Sequence, residues 1–329
     1  MKLAAALVIV YVVWGSTYLG ISLADRTLPP MLMLSVRFLT AGALLYAWER
    51  RRGGVGAAER PGRRQWGAAA VVGGLLLVVD TGAVAWALQR VSTGFAALLI
   101  ASVPLFMAVV DRACFGIRVP AMAVAGIGTG LLGVAILANP GGGVDALGTV
   151  ALLVAAFAWA AGSAYARVAP LPGRLFLSAA MQMLCAGVGL GVLGIATGEL
   201  GRVDVAAISA QSLGALLYLI VFGSLMAFTV YGWLLKHAPT PLLSTYAYVN
   251  PAVAVFLGWA FVGEHVGGRE IAAGLVILSS VAMLLLAREP RAEPEPIPES
   301  LPFYIRAKDA QVVEFRPAPR LAELHRISA

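Results

Sequence analysis

The chain has 329 residues, of which 60% are hydrophobic and only 12% charged, and its mean hydropathy is +0.86. A soluble domain carries about 25% charged residues, so this chain has too little charge to cover a water-facing surface. The net charge of +7 is concentrated in the connections between apolar segments, which fits membrane topology better than a nucleic-acid partner.

Ten segments are mostly apolar over about 20 residues, the length that a helix needs to cross a bilayer. In chain order they are 3–24, 31–48, 66–88, 93–111, 120–138, 147–168, 174–197, 212–235, 241–263 and 269–287. Because most connections are short, we expect consecutive helices to pack antiparallel. The sequence therefore predicts an all-α polytopic membrane protein with ten transmembrane helices.

Lysine and arginine in the connections predict the orientation. With the N-terminus inside, the cytoplasmic side holds Lys2, Arg50, Arg51, Arg52, Arg60, Arg63, Arg64, Arg112, Arg118, Arg167, Arg174 and Lys236, and the opposite side holds Arg26, Arg90, Arg202 and Arg269. This bias puts both termini in the cytoplasm, and we expect an integral protein of a bacterial plasma (inner) membrane. Residues 289–329 begin with a charged, proline-rich stretch that cannot bury a core, so they are predicted to form a solvated cytoplasmic tail.

An internal repeat divides the apolar region. Trp86, Thr93, Pro104 and Gly116 recur 147 residues later as Trp233, Thr240, Pro251 and Gly263, and the start WGSTY (14–18) is similar to WAAGSAY (159–165). The predicted halves are residues 1–138 and 139–288, with five spans each. Because five is odd, the second half must enter the membrane from the opposite face. Such inverted repeats are typical of secondary transporters.

Two ionisable residues lie clearly inside predicted spans, Arg37 in the second and Asp80 in the third. Both are expected roughly 10–12 Å from the same membrane face, at 1.5 Å per residue. Either charge alone would cost at least about 2.5 kcal/mol near the membrane centre. Two interpretations remain open: an ion pair that locks two helices, or a site for a substrate carboxylate or a coupling proton.

Further pathway candidates are polar, aromatic or helix-breaking. Pro104 and Pro251 are predicted at equivalent mid-membrane positions, where each would free a backbone carbonyl, at Ile100 and Ala247. The others are Trp14, Ser16, Tyr18, Trp86, Thr93, Trp159, Ser163, Tyr165, Tyr231, Tyr248 and Asn250. In span nine, Ser244 and Tyr248 share one helix face while Tyr246 and Asn250 lie on another, so these residues cannot all face one cavity. For any one of them, bonding between helices is an alternative to solute contact.

Sequence matches to motifs of soluble enzymes do not indicate an enzyme site in this chain. The GxGxxG at 128–133 lies inside a span with no preceding strand, so helix packing through Gly126 and Gly130 explains it better. The three histidines are scattered, the two cysteines have no metal-ligand spacing, and no Walker A sequence is present. No metal or cofactor is expected.

Several motifs together resemble the EamA-type branch of the drug/metabolite transporter superfamily over residues 5–287. They are WGSTY at 14–18, Arg37-Phe38, Ser92-Thr93-Gly94 leading to Pro104, and Asn250-Pro251 followed by Gly263-Glu264. The resemblance implies ten spans, two EamA repeats, and export or exchange of small metabolites such as amino acids without a bound cofactor. In the first half Gly116 is followed by Ile117 rather than by a glutamate, so the halves are expected to be unequal in function.

The predicted function is secondary active transport of a small metabolite by alternating access, with efflux driven by a proton or by solute exchange. One alternative is a membrane scaffold or sensor that does not transport and whose tail recruits a partner. A less favoured alternative is an intramembrane enzyme, for which Arg37 and Asp80 are the one pair at matched depth.

Overall fold

The computed structural model describes residues 3–52, 61–91, 96, 99–116, 120–138, 145–257 and 268–286, and the regular structure among them is all helical. In chain order the helices are α1 (Leu3–Ala24), α2 (Pro30–Arg51), α3 (Arg63–Ala87), α4 (Val103–Phe115), α5 (Ala121–Ala138), α6 (Ala146–Val168), α7 (Leu175–Ala196), α8 (Ala210–His237), α9 (Thr240–Leu243), α10 (Tyr246–Leu257) and α11 (Gly268–Leu286). The predicted tail 289–329 lies outside the described residues.

Within the described ranges, six helices are long and apolar enough to cross a membrane: α1, α2, α3, α6, α7 and α8. Shorter apolar stretches occur in α5 (Ala121–Gly133) and α11 (Ile271–Ser280). The all-helical class is thus confirmed for the described residues, and their long apolar helices fit a membrane protein. The count of ten spans and the division at residues 138 and 288 stay predictions.

Within the predicted span 93–111, the described part of the helix is interrupted just before Pro104. Residues 101 and 102 form a turn, and α4 begins at Val103 with Pro104 in its first turn. A proline there needs no N–H donor and has its φ already suited to the helix, so Pro104 starts a helix and does not break one. Pro251 does lie inside its helix, α10. The two prolines, predicted to be equivalent, therefore differ in local structure.

Two of the long helices contain a π-helical segment, at Gly74–Thr81 in α3 and at Leu219–Phe228 in α8. The two segments end at Thr81 and Phe228, which are 147 residues apart. A π segment widens the helix locally and occurs frequently at functional sites. Both segments contribute residues to the cavity described below.

Helix packing is reciprocal between residues 3–138 and residues 146–286. The helix α2 packs along α7, and α5 packs along α11. The helix α1 packs on α10, and its counterpart α6 packs on α4. The helices that correspond in the sequence repeat are α1 and α6, α2 and α7, α4 and α10, and α5 and α11. Exchanging each helix for its counterpart leaves this set of contacts unchanged.

The α2–α7 contact is close because it is lined by glycine. A Cβ added at Gly42 would lie 3.0 Å from Leu184 Cγ, and one added at Gly187 would lie 2.7 Å from Leu39 Cγ. Gly187 follows Gly42 by 145 residues, as Leu184 follows Leu39, so the two contacts are counterparts. Small residues let membrane helices approach closely, where dispersion contacts take the place of the hydrophobic effect.

Replacing Gly187 with Ala is expected to destabilise the protein by about 1–3 kcal/mol, the usual cost of overpacking a tight core. The added methyl group would meet the Leu39 backbone nitrogen at 2.8 Å, so side-chain movement alone cannot relieve the clash. The measurement is the apparent melting temperature in detergent. Gly214→Ala in α8 is the matched control, because nothing lies within 4 Å of a Cβ there. Equal melting temperatures for the two variants would contradict the prediction.

Candidate functional site

A cavity of about 100 Å³ lies among α1, α2, α3, α6, α8, α10 and the start of α4. An apolar cavity of about 150 Å³ can hold benzene, so this space suits a small organic group. The lining residues are Trp14, Thr17, Tyr18, Ile21, Arg37, Phe38, Leu77, Asp80, Thr81, Val84, Ile100, Val103, Trp159, Gly223, Phe228, Tyr246 and Asn250. We call it the Arg37 cavity. Its walls are mostly apolar and aromatic with a few polar groups, which is typical of small-molecule sites.

Arg37 extends from α2 towards the π segment of α8. Its side-chain Nε donates a hydrogen bond of 2.8 Å to Ser224 Oγ, and its guanidinium carbon lies 4.9 Å from the Phe38 ring centroid. Gly223 makes room for the guanidinium, since a Cβ at Gly223 would lie 2.7 Å from Arg37 Nη2. Although Arg37 is only 5% exposed, its hydrogen bond to Ser224 uses the Nε donor alone. The cation is therefore held in position at the cavity wall.

Asp80 reaches the same cavity from the π segment of α3 and is 8% exposed. Thr81 Oγ1 donates to Asp80 Oδ2 at 3.5 Å, which is a long contact. Among the described residues the ion pairs are Arg167–Asp111 and Arg174–Glu49, so the predicted Arg37–Asp80 lock is not formed. The reason is that the Arg37 side chain is turned towards Ser224 on α8. An arginine and an aspartate thus line one cavity without forming a direct ion pair with each other.

Four rings form what we call the aromatic layer: Trp14, Trp159, Tyr231 and Tyr246. Trp14 lies 5.2 Å from Trp159, 5.0 Å from Tyr231 and 5.3 Å from Tyr246, measured between ring centroids. Trp159 Nε1 donates to Tyr231 Oη at 2.9 Å, and Ser163 Oγ is 2.7 Å from the same hydroxyl. These bonds fix the rings at one end of the Arg37 cavity.

A polar network ties α4, α6 and α9 together. Arg167 pairs with the buried carboxylate of Asp111 and donates to Thr240 Oγ1 at 2.8 Å. Its guanidinium carbon also lies 5.1 Å from the Phe115 ring centroid. Removal of either partner would leave an uncompensated charge on the other and would strongly destabilise the fold. The ion pair and the hydrogen bond to Thr240 therefore hold the three helices together.

Asn250 connects α10 to α1. With its amide nitrogen facing two backbone carbonyls, Asn250 donates to Tyr11 O at 3.2 Å and to Tyr246 O at 3.0 Å. Tyr246 and Asn250 line the Arg37 cavity, whereas Tyr248 packs against Ala101, Ile127 and Ile277 in a separate cluster. The prediction that these side chains divide between two helix faces is confirmed.

The predicted pathway residues divide into three groups. Those that line the Arg37 cavity are Trp14, Tyr18, Arg37, Asp80, Trp159 and Asn250. Those that lie elsewhere are Ser16, Trp86, Pro104, Ser163, Tyr165, Tyr231, Tyr248 and Pro251. Thr93 lies outside the described residues.

Ser16, Trp86 and Tyr165, which miss the cavity, have other local partners. Ser16 Oγ is 2.5 Å from Tyr218 Oη. The guanidinium carbon of Arg90 lies over the Trp86 ring, 3.6 Å from the ring centroid. Tyr165 packs against the hydrophobic core. Conversely, Ser224 and Gly223 were not among the sequence candidates, since the π segment that presents them leaves no recognisable signal in an apolar run.

Comparison with known proteins identifies the family of the chain. The family model described as "EamA-like transporter family" matches residues 1–139 and 146–286. The chain belongs to the EamA-like transporter family. It is accordingly an integral membrane protein of the drug/metabolite transporter superfamily, as the sequence motifs predicted.

Relatives of this EamA-family chain span nearly all of its membrane region. It is 38% identical over 289 residues to the "Uncharacterized inner membrane transporter YedA" of Escherichia coli K12, covering 87% of this chain and 91% of that protein. A chloroplastic WAT1-related protein of Arabidopsis thaliana is 23% identical over 282 residues, covering 82% and 66% of the two chains. A solved crystal structure matches with a TM-score of 0.71 and 21% identity, over 87% of this chain and 99% of that chain. At that identity the match shows the fold alone.

Two carboxylates of this EamA-family transporter lie beyond the ends of its long helices, Asp25 after α1 and Glu199 after α7. Glu199 Oε2 accepts the Leu32 backbone N–H at 3.0 Å. Burial, and then the negative charge of Glu199, raise the pKa of Asp25 from 3.8 to about 7. The folded protein therefore keeps a proton on Asp25 in a pH range where the unfolded chain has lost it.

Stability is therefore expected to fall as the pH rises from about 4 to about 7, because the unfolded state then binds fewer protons than the folded state. Asp25→Asn removes this dependence. Its apparent melting temperature should exceed that of the wild type near pH 8 and match it near pH 4. The exposed residue Asp204 provides the control, Asp204→Asn. A constant difference between Asp25→Asn and the wild type at all pH values would count against the assignment.

Proposed function

We propose that the chain is a secondary active transporter that exports or exchanges a small metabolite bearing a carboxylate, such as an amino acid, by alternating access. The Arg37 cavity holds the solute: Arg37 binds its carboxylate, and Asp80 binds either a cationic group of the solute or a coupling proton. The aromatic walls contact the apolar part of the solute.

The observation that carries this proposal is the pair of charges. Arg37 and Asp80 are both buried, face one cavity and do not pair with each other. Ionisable groups inside membrane spans are costly and mark substrate or ion pathways. A carboxylate bound to Arg37 forms a charge-assisted hydrogen bond, which is about twice as strong as a neutral one. A solute therefore supplies the charge partner that the protein itself does not bring to Arg37.

Alternating access is supported by the reciprocal packing. The pairs α1–α10 and α6–α4 exchange under one operation that also maps the Gly42–Leu184 contact onto the Leu39–Gly187 contact. Trp14 and Trp159, which correspond in the repeat, touch each other at 5.2 Å, as residues near a two-fold axis would. We infer an inverted repeat of residues 1–138 and 139–288 around this axis, and the separate family matches to residues 1–139 and 146–286 support it.

The predicted topology indicates the side of the membrane to which the Arg37 cavity opens. The Arg37 cavity is lined by the second half of α1 and of α3, the ends remote from the N-terminus. With both termini cytoplasmic, this cavity faces the outside, and the aromatic layer together with the Asp111–Arg167 network closes the cytoplasmic side. The described state is then outward-facing.

The test is flux through the purified full-length protein in proteoliposomes, with labelled amino acids and simple carboxylic acids supplied one at a time. The proposal expects saturable flux of at least one carboxylate solute, which an imposed proton gradient or an exchange partner accelerates. If no solute moves and a partner protein binds in a tail-dependent way, the scaffold alternative replaces it. Chemical conversion of a solute during the assay would favour the intramembrane enzyme.

A further inference from the structure

A second cavity lies on the other side of the aromatic layer, lined in part by Ser178, Gln182, Phe228, Tyr231 and Lys236. We call it the Gln182 cavity. Its volume is about 30 Å³, which is enough to hold a water molecule. Tyr231 belongs both to the aromatic layer and to this cavity, and Phe228 lines both cavities. The two cavities are therefore separated by only a few side chains.

Five of the twelve residues that line the Gln182 cavity are repeat counterparts of residues that line the Arg37 cavity. Residues that line the Arg37 cavity are given first and their counterparts in the Gln182 cavity second: Ile21 and Ala166, Arg37 and Gln182, Gly223 and Leu76, Thr81 and Phe228, Val84 and Tyr231. The first two pairs are 145 residues apart and the other three are 147 residues apart, the same offsets that relate the two sequence repeats. Two unrelated packing gaps would not share five such pairs.

We propose that the Gln182 cavity is a second solute site, which binds the carboxylate solute from the face that carries the N-terminus when the Arg37 cavity is closed. This inference rests on the alternating access of the proposed function and adds the residues and charges of the second site. The cavity is small in the described state because the aromatic layer and the Asp111–Arg167 network hold that side shut.

The charges of the two sites differ in a defined way. Gln182 stands where the Arg37 cavity has Arg37, and Ala227 corresponds to Asp80. The cation of the Gln182 cavity is instead Lys236, an exposed residue whose counterpart in the first half is Gln89. The second site therefore attracts the solute carboxylate to Lys236 at its rim, and hydrogen-bonding groups of Ser178 and Gln182, which bond each other at 3.0 Å, contact the rest of the solute.

Asp80 has no counterpart in the second site, so the two sites treat a cationic group on the solute differently. The Arg37 cavity offers both a cation and an anion, and the Gln182 cavity offers a cation alone. A simple carboxylate such as lactate is therefore sufficient to occupy the Gln182 cavity.

The experiment uses thiol labelling of the full chain in sealed membrane vesicles of both orientations, with the native cysteines replaced as Cys114→Ser and Cys185→Ala. Ser178→Cys reports on the Gln182 cavity and Thr17→Cys reports on the Arg37 cavity. The probe is the small anionic reagent sulfonatoethyl methanethiosulfonate. Gly232→Cys is a second reporter for the Gln182 cavity if Ser178→Cys does not fold, because a Cβ there lies no closer than 3.4 Å to Leu175.

Ser178→Cys should react when the reagent is added on the N-terminal face and not from the opposite face, and Thr17→Cys should show the reverse. Lactate should slow the Ser178→Cys reaction several-fold, whereas lactamide, which lacks the carboxylate, should not. Lys236→Gln should abolish the protection by lactate, while the neighbouring His237→Gln should retain it.

If neither Ser178→Cys nor Gly232→Cys reacts from either face, the proposal is overturned, because the Gln182 cavity would then be a sealed packing gap. Equal protection by lactate and lactamide would overturn the assignment of the carboxylate to Lys236. Flux without protection at Ser178→Cys would refute the second site and leave the proposed function standing. Protection without any flux would refute the proposed function and support the site.

Discussion

Replacing Arg37 with Gln is expected to raise the half-saturating solute concentration by about 10- to 100-fold, because a hydrogen bond to a charged group contributes about 1.5–3 kcal/mol. Gln keeps a donor that can reach towards Ser224 Oγ, so the fold is expected to survive. Arg37→Lys should lie between Gln and wild type, since lysine keeps the charge but loses the planar fork that binds a carboxylate with two parallel bonds. The measurement is the concentration dependence of flux in proteoliposomes.

Arg26→Gln is the matched control for Arg37. Arg26 is exposed at the end of α1, where its guanidinium contacts Gln211 at 3.4 Å, and it does not line the cavity. Its replacement should leave the half-saturating concentration within about twofold of wild type, as expected for an exposed polar contact. An unchanged value in Arg37→Gln, at equal amounts of folded protein, would exclude Arg37 from solute binding.

Asp80→Asn is expected to lower flux by about tenfold or more, the effect of losing one charge-assisted contact of about 1.5 kcal/mol. Because an amide cannot take up a coupling proton, the dependence of the remaining flux on pH should also flatten. Arg37, Tyr18 and Thr81 line the same cavity, and none of them is changed by the substitution. Flux measured across a series of pH values, with size-exclusion profiles to establish folding, provides the test.

Asp145→Asn is the control for Asp80. Asp145 caps the start of α6, where its carboxylate accepts the Gly148 N–H at 2.5 Å. Asn is an equally good cap, so this variant removes a carboxylate without disturbing a helix or the cavity. Normal flux with a normal pH response in Asp80→Asn would eliminate Asp80 as a coupling or binding group.

The sequence predicted the class of fold because that class depends on local hydrophobicity. The predicted span 3–24 coincides with α1, 147–168 differs from α6 by one residue at its start, and 174–197 differs from α7 by one residue at each end. Periodicity was equally reliable within α10, where it separated Tyr246 and Asn250 from Tyr248. These features need only the spacing of apolar and polar residues along one helix.

The side-chain partners could not be predicted in the same way. Matched depth indicated that Arg37 could meet Asp80, but Arg37 bonds Ser224, a residue 187 positions away in the chain. That choice depends on how α2 crosses α8 and on the π segment that turns Ser224 and Gly223 towards Arg37. The internal repeat was also a poor guide to which side chains line the cavity. Trp86 and Trp233 correspond in the repeat, yet neither lines the cavity: Trp86 contacts the Arg90 guanidinium and Trp233 stacks on His237.

The paired contacts of Gly42 with Leu184 and of Leu39 with Gly187 have the form of an isologous dimer interface enclosed in one polypeptide. In a true homodimer any substitution appears on both sides of the axis at once. Here the two sides are encoded separately, so one side can carry an arginine and the other a glutamine, as at positions 37 and 182. In the proposed transport cycle, covalent linkage of the copies permits the two faces of the membrane to present different chemistry to the same solute while the packing that relates them is retained.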